Sequence, residues 1–305
     1  MPAMETEPGT TAPSVIAISW LAAAVAVPLT LVGTACGQGL GAVFGGCHWI
    51  GVTIPLDRQV WALVNQPVLN FSSLGSASGY WLGSVLLPLV TAIAIIGFLP
   101  RTRSLVTEFV CLQIAWAMST ISIAWLPLID ADDGHLIRYL SLHGWPSGWV
   151  WAAPILAAVI VLLPTLRLLE LARRRHPNIK RFSRVLVVTV HLAIPTIVWV
   201  GLASLVRGSI PVFPMVAIAL PLISAVVFAW LRYPSPYVHP LDLPRASGIV
   251  GLLAAAAFLS AGVWLAGRPL PGGDSAGILW GQPHSFNNIR PWVEPHSLTS
   301  ENPDN

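Results

Sequence analysis

The densest collection of ionisable side chains outside the basic linkers lies in IDADDGHLIRYLSLHGWPSGW, where Asp130, Asp132, Asp133, His135, Arg138 and His143 fall within fourteen residues. Carboxylates and imidazoles together can bind a divalent cation, with Asp130, Asp132 and Asp133 as the metal candidates. Arg138, with the backbone amides of Ser147 and Gly148 at the start of the following helix and with Arg207 as a further ligand candidate, can bind a phosphate. His143 or His135 would then act as nucleophile or base. The spacing matches no fixed metal motif, and a solvated acidic loop is the alternative reading. No cofactor is expected.

A site of this kind needs elements to hold it, and composition says what they are. Of 305 residues, 55% are hydrophobic and only 10% charged, with a mean hydropathy of +0.72. So few charges cannot cover a water-soluble surface. The reading is an all-α, polytopic transmembrane helix bundle of about seven spans, over residues 15–32, 80–99, 105–128, 149–166, 185–206, 211–231 and 246–266. Prolines within these spans, Pro28, Pro88, Pro154, Pro164, Pro195 and Pro221, remove backbone donors that neighbouring helices must replace. Residues 1–14 read as a disordered cytoplasmic N-terminus, 15–267 as the helical domain and 268–305 as an extracytoplasmic tail, partly ordered where ILWGQPHSFNNIRPWV can dock. The N-terminus has no basic stretch before its apolar run, so the first span reads as a retained helix.

Orientation follows from Lys and Arg. One set of alternate linkers holds Arg101, Arg103, Arg167, Arg173, Arg174, Arg175, Lys180, Arg181, Arg184, Arg232 and Arg245; the other holds Arg58, Arg138, Arg207, Arg268 and Arg290. The richer set is expected in the cytoplasm of an inner (plasma) membrane. RRRHPNIKRFSR would face anionic headgroups there. A net charge of +3, with most Trp residues near span ends, gives no case for nucleic acid. Membrane lipids, and a membrane-protein partner, are the expected contacts.

On the outer side, CGQGLGAVFGGC reads as a glycine-rich reversal closed by a Cys36–Cys47 disulfide, free thiols being the alternative. Next, Leu56, Val60, Leu63 and Val64 recur at helical spacing among Asp57, Arg58, Gln59 and Asn65, which reads as a short amphipathic surface helix. Within the spans, Glu108 is expected to snorkel or pair with Arg101 or Arg103, Ser119, Thr120 and Ser122 to join helices, and His191 to be neutral and bonded to a neighbouring helix.

LDRQVWALVNQPVLNFSSLGS before the second span, two closely spaced spans, an outer loop and WPSGWVWAAP at the fourth span resemble the type-2 phosphatidic acid phosphatase superfamily over residues 50–230. The resemblance implies a helical membrane fold in which one histidine attacks phosphorus and another protonates the leaving group. Pro146, Ser147 and Gly148 match the Pro-Ser-Gly-His motif, but Trp149 stands in place of the acid, and an indole cannot deliver a proton at neutral pH. No lysine lies near residues 115–140. Ser183, Arg184 and His191 imitate the nucleophile segment, with Pro195 where the motif has Asp. They would emerge opposite Pro146, and the segment at the correct depth, 201–215, holds Arg207 and no histidine. The resulting expectation is phosphatase-like architecture without standard catalysis: a lipid-binding or accessory protein acting at the outer face. Two alternatives are an enzyme with a rearranged outer site and a structural subunit of a larger membrane complex.

Overall fold

The computed structural model describes residues 12–44, 48–53, 61–65, 74–98, 101–132, 140–141, 144–176, 178–207, 212–235, 246–266, 278–279 and 289–290. The chain opens with helix α1 (Ala12–Phe44) and strands β1 (His48–Thr53) and β2 (Trp61–Asn65). Helix α2 (Leu74–Ile93) runs into a π-helical turn, Ala94–Phe98. Helix α3 (Leu105–Ala117) continues through a π segment, Met118–Trp125, into α4 (Leu126–Asp132). A 3-10 turn, Ser147–Trp151, leads into α5 (Ala152–Ile160) and α6 (Leu162–Arg175). Helix α7 (Arg181–Val188) passes through a third π turn, Thr189–Ala193, into α8 (Ile194–Arg207). Helices α9 (Val212–Leu231) and α10 (Ala246–Ala266) and strands β3 (Ile278–Leu279) and β4 (Ile289–Arg290) follow.

The fold is the expected bundle of apolar helices. Five stretches are long and apolar enough to cross a membrane: 14–44, 105–129, 147–174, 181–205 and 212–231. Two shorter apolar helices, Leu82–Gly97 and Gly248–Gly262, fall where the other spans were expected. The α3 span is the axis of the bundle, with 83% of its most apolar window buried against 33% for the α9 span. Phe109, Leu112, Trp116, Ile121 and Ile123 are enclosed, while Leu202, Leu205, Ile223 and Val227 point outward. An apolar outer surface of this kind is stable only against hydrocarbon.

Two of the expected local structures are corrected. The first concerns 36–47. Helix α1 continues through Phe44, and Cys36 is a free thiol inside it rather than half of a disulfide; Cys47 lies outside the described residues. Gly33, Gly37 and Gly41 recur every four residues, which on a helix makes one face rather than a turn. Gly33 faces Met118, while Gly37 meets α2 so closely that a Cβ on it would lie 2.1 Å from the Gly83 carbonyl oxygen, and one on Gly83 2.0 Å from that of Gly37. Small residues let backbones approach where no hydrophobic drive operates between helices.

The second correction is the surface helix expected across residues 56–65. Residues 61–65 form β2, antiparallel to β1, with Thr53 opposite Trp61 and His48 opposite Asn65. β3 pairs with β1 and β4 with β2, both antiparallel, giving the order β3-β1-β2-β4. A run such as WALVN has helical and extended readings of equal merit in isolation; the pairing decides between them. The sheet sits against the end of α1, with Val52 buried and the Trp49 ring over Gly39, where a Cβ would fall 2.3 Å from it.

Candidate functional site

The polar side chains brought together in the described residues lie inside the bundle. At the start of α3, Ser104 caps the helix by accepting from the Thr107 N–H at 3.3 Å. This sets Glu108 in the first turn, where the helix dipole favours a carboxylate. Glu108 is fully buried, and its partner is Arg167 of α6, itself 2% exposed. Arg167 Nε donates to one carboxylate oxygen and Nη2 to the other, at 2.9 Å for the latter. The Thr102 N–H donates to Oε2 at 3.0 Å, with the Thr102 hydroxyl 3.2 Å away. Arg167, expected in a linker, therefore lies within a helix, and Glu108 pairs with it rather than with Arg101 or Arg103. One turn along α6, Glu170 accepts from Arg101 Nη2 at 2.6 Å and from Nε at 3.1 Å.

Nη1 of Arg167 faces the carbonyls of Ile95 and Ile96, each at 3.4 Å. These carbonyls lie five and four residues before Pro100, which has no N–H to give either a π-type or an α-type bond. The same arithmetic holds at Pro195. Val190, five residues before it, accepts from Trp20 Nε1 at 3.1 Å. His191, four residues before it, has a carbonyl that accepts from Gln113 Nε2 at 2.6 Å and Ser19 Oγ at 3.2 Å. A third case is Pro234, whose i−4 carbonyl on Trp230 accepts from Arg184 Nη2 at 3.3 Å. Prolines thus expose carbonyls at the ends of α2, at the third π turn and at the end of α9, and side chains of other helices take them. Among the prolines expected within spans, Pro195 shows this repair; Pro100 and Pro234 lie beyond the ends of their helices in sequence.

The remaining interior polar groups also tie helices. Trp116 Nε1 donates to Thr196 Oγ1 at 2.7 Å. The Thr34 and Ser122 hydroxyls are 2.5 Å apart, and Ser122 reaches the Thr30 carbonyl at 3.2 Å. Ser119 and Thr120 instead bond their own helix, to the carbonyls of Ala115 and Trp116. His191 differs from expectation in detail. Its backbone, not its ring, bonds the neighbouring helices; the ring tilts against Phe109 with centroids 5.5 Å apart, and Nδ1 has no partner among the described residues.

Of the residues expected at an outer site, Asp133, His135, Arg138 and His143 lie outside the described residues. Asp130 and Asp132 end α4 and Arg207 ends α8. Among the described residues no group of three or more His, Cys, Asp or Glu side chains could hold a metal. Ser147 and Gly148 are exposed at the 3-10 turn, where the Trp149 N–H bonds the Pro146 carbonyl at 3.1 Å. Trp149 is half-exposed, edge-on to Trp145 with centroids 5.6 Å apart. Behind it runs a helical stretch of 28 residues, about 42 Å at 1.5 Å per residue, so Arg184 stands at the far end of the bundle from Pro146.

Sequence reasoning missed Arg167 and the carbonyl pairs. The available signals were a lone arginine in the apolar run LLPTLRLLEL, with Glu170 three residues on, and a proline four or five residues after each freed carbonyl. No family model matches the chain, and no curated protein or solved structure is detectably similar to it.

Proposed function

We propose that this chain is a non-catalytic accessory protein of the inner (plasma) membrane that binds lipid or a membrane partner at its extracytoplasmic face. In this reading its N-terminus is cytoplasmic, and the sheet and the C-terminal tail are outside. The observation that carries the reading is the Pro146-Ser147-Gly148-Trp149 turn. Where a phosphatase-like scaffold needs a proton donor, an indole lies half-exposed and packed edge-on against Trp145. Paired indoles at a helix start suit the lipid–water boundary, where an amphipathic ring is stable. The interior supports the same reading, since Glu108, Arg167 and Gln113 are engaged in helix contacts.

Sidedness is supported by Arg173 and Arg184 gathering with Arg232 and Pro234 at one end of the bundle, with Arg101 paired to Glu170 one turn before Arg173 on α6. Single cysteines at Ser141 and Asn178 should label from opposite sides of sealed vesicles; labelling from one side overturns the orientation. Protein purified in micelles should release no phosphate from phosphatidic acid or polyprenyl phosphate. Release that His143→Ala abolishes would establish an enzyme instead.

A further inference from the structure

At the opposite end of the molecule from the Trp149 turn, two arginines share one aromatic ring. The Arg173 guanidinium lies 4.3 Å from the Tyr233 ring centroid and that of Arg184 lies 5.5 Å from it. Arg173 extends from the last turns of α6 and Arg184 from the first turn of α7, and Tyr233 follows α9, so three helix ends converge here. Arg184 is 3% exposed, an unusual depth for a cation. Arg173 Nη1 donates to the Pro234 carbonyl, Arg184 Nη1 to that of Arg232 and Nη2 to that of Trp230. Carbonyl dipoles hold the guanidiniums but carry no net charge. Among the described residues neither arginine meets a carboxylate, in contrast to Arg101 and Arg167. Both Nε atoms are buried and have no hydrogen-bond partner among the described residues.

Two like charges facing one ring, one of them nearly sealed from water and each with an unmet N–H donor, need an anion. Guanidinium forks match the tetrahedral oxygens of phosphate, and the exposed Lys180 nearby raises the local anion concentration. We infer that Arg173 and Arg184, over Tyr233, form a binding site for a phosphate group, either a lipid phosphomonoester headgroup or a free phosphate. The site is independent of the proposed function, since it lies at the other end of the bundle.

The test is binding of dioctanoyl phosphatidic acid, dioctanoyl phosphatidylcholine and inorganic phosphate to the full chain in a non-ionic detergent, followed by native mass spectrometry. Phosphatidic acid should bind in preference to phosphatidylcholine. Its affinity should fall about tenfold or more in Arg173→Gln and in Arg184→Gln, and stay unchanged in Arg181→Gln, which removes an exposed charge nearby. Inorganic phosphate that binds alone and competes identifies the free ion as occupant; failure to compete identifies the headgroup. Equal loss in all three variants would mean diffuse surface charge and overturns the site, as does undiminished binding in Arg173→Gln. Where Arg184→Gln does not fold, Arg173→Lys decides. It keeps the charge but loses the fork, so unchanged affinity there overturns the site as well.

Discussion

Helices α3 and α6 are joined by a buried ion pair, whereas α1 and α2 are joined by having almost nothing between them. At the first contact Glu108 and Arg167 neutralise each other and use their remaining donors and acceptors on Thr102 and on the carbonyls of Ile95 and Ile96. At the second, Gly37 and Gly83 bring two backbones to a distance that excludes a single Cβ. Within a bilayer neither contact can rely on expulsion of water. One is held by charge that has nowhere else to go, the other by close backbone packing, and they should fail in different ways.

The ion pair should break hardest. Glu108→Ala leaves Arg167 charged and sealed, and should lower stability in detergent by about 3–5 kcal/mol, measured by thermal unfolding. The double variant Glu108→Leu, Arg167→Met removes both charges and should recover most of that loss. Failure to recover would mean that the bonds to Thr102 and to the Ile95 and Ile96 carbonyls, rather than the charges, hold α3 to α6.

Next in size is the glycine contact. Gly37→Leu must push α1 and α2 apart, at a cost of about 1–3 kcal/mol. Gly201→Ala, on α8 where a Cβ would meet nothing within 4 Å, should stay within about 0.5 kcal/mol of the parent. If the two glycines respond alike, close packing is not what distinguishes α1 and α2.

These two contacts also mark where the sequence could be read and where it could not. Apolar content and length located the helical spans because the bilayer sets both. Gly37 and Gly41, which face α2, and Gly39, which lies under the Trp49 ring, misled because glycine permits a turn and a close approach equally, and only the presence of those neighbours selects between them. Arg167 misled because its basic neighbours suggested a linker, while its actual depth is fixed by Glu108, 59 residues away in sequence. The β1–β2 pair is invisible to periodicity for a similar reason: Trp61–Asn65 is a strand because His48–Thr53 lies beside it. The expected outer site is legible as a composition, Asp and His beside Pro-Ser-Gly, but composition does not say whether such side chains converge.

Gln113 lies between the two extremes. It bridges α3 to the His191 carbonyl at 2.6 Å and to Ser19 at 3.1 Å, with no charge involved. Gln113→Leu leaves that carbonyl to Ser19 alone and should lower stability by about 1 kcal/mol. A loss as large as that of Glu108→Ala would show that carbonyls freed by proline, not ions, dominate the joints of this bundle.

The smallest effect is expected one turn from the largest. Arg101 and Glu170 form an ion pair as short as any good one, at 2.6 Å, yet the Arg101 side chain is 40% exposed and its Nε and Nη2 bond a single carboxylate oxygen. Water and salt compete for such a pair, so Arg101→Ala should lower stability by no more than about 1 kcal/mol. Raising NaCl from about 0.05 to 0.5 M shortens the screening length severalfold and should remove much of that difference. The same salt step should leave the penalty of Glu108→Ala unchanged, because no ions reach a sealed pair. If Arg101→Ala instead matches Glu108→Ala and ignores salt, the four residues behave as one buried network. Burial, rather than the identity of the partners, would then no longer separate the two ion pairs on α6.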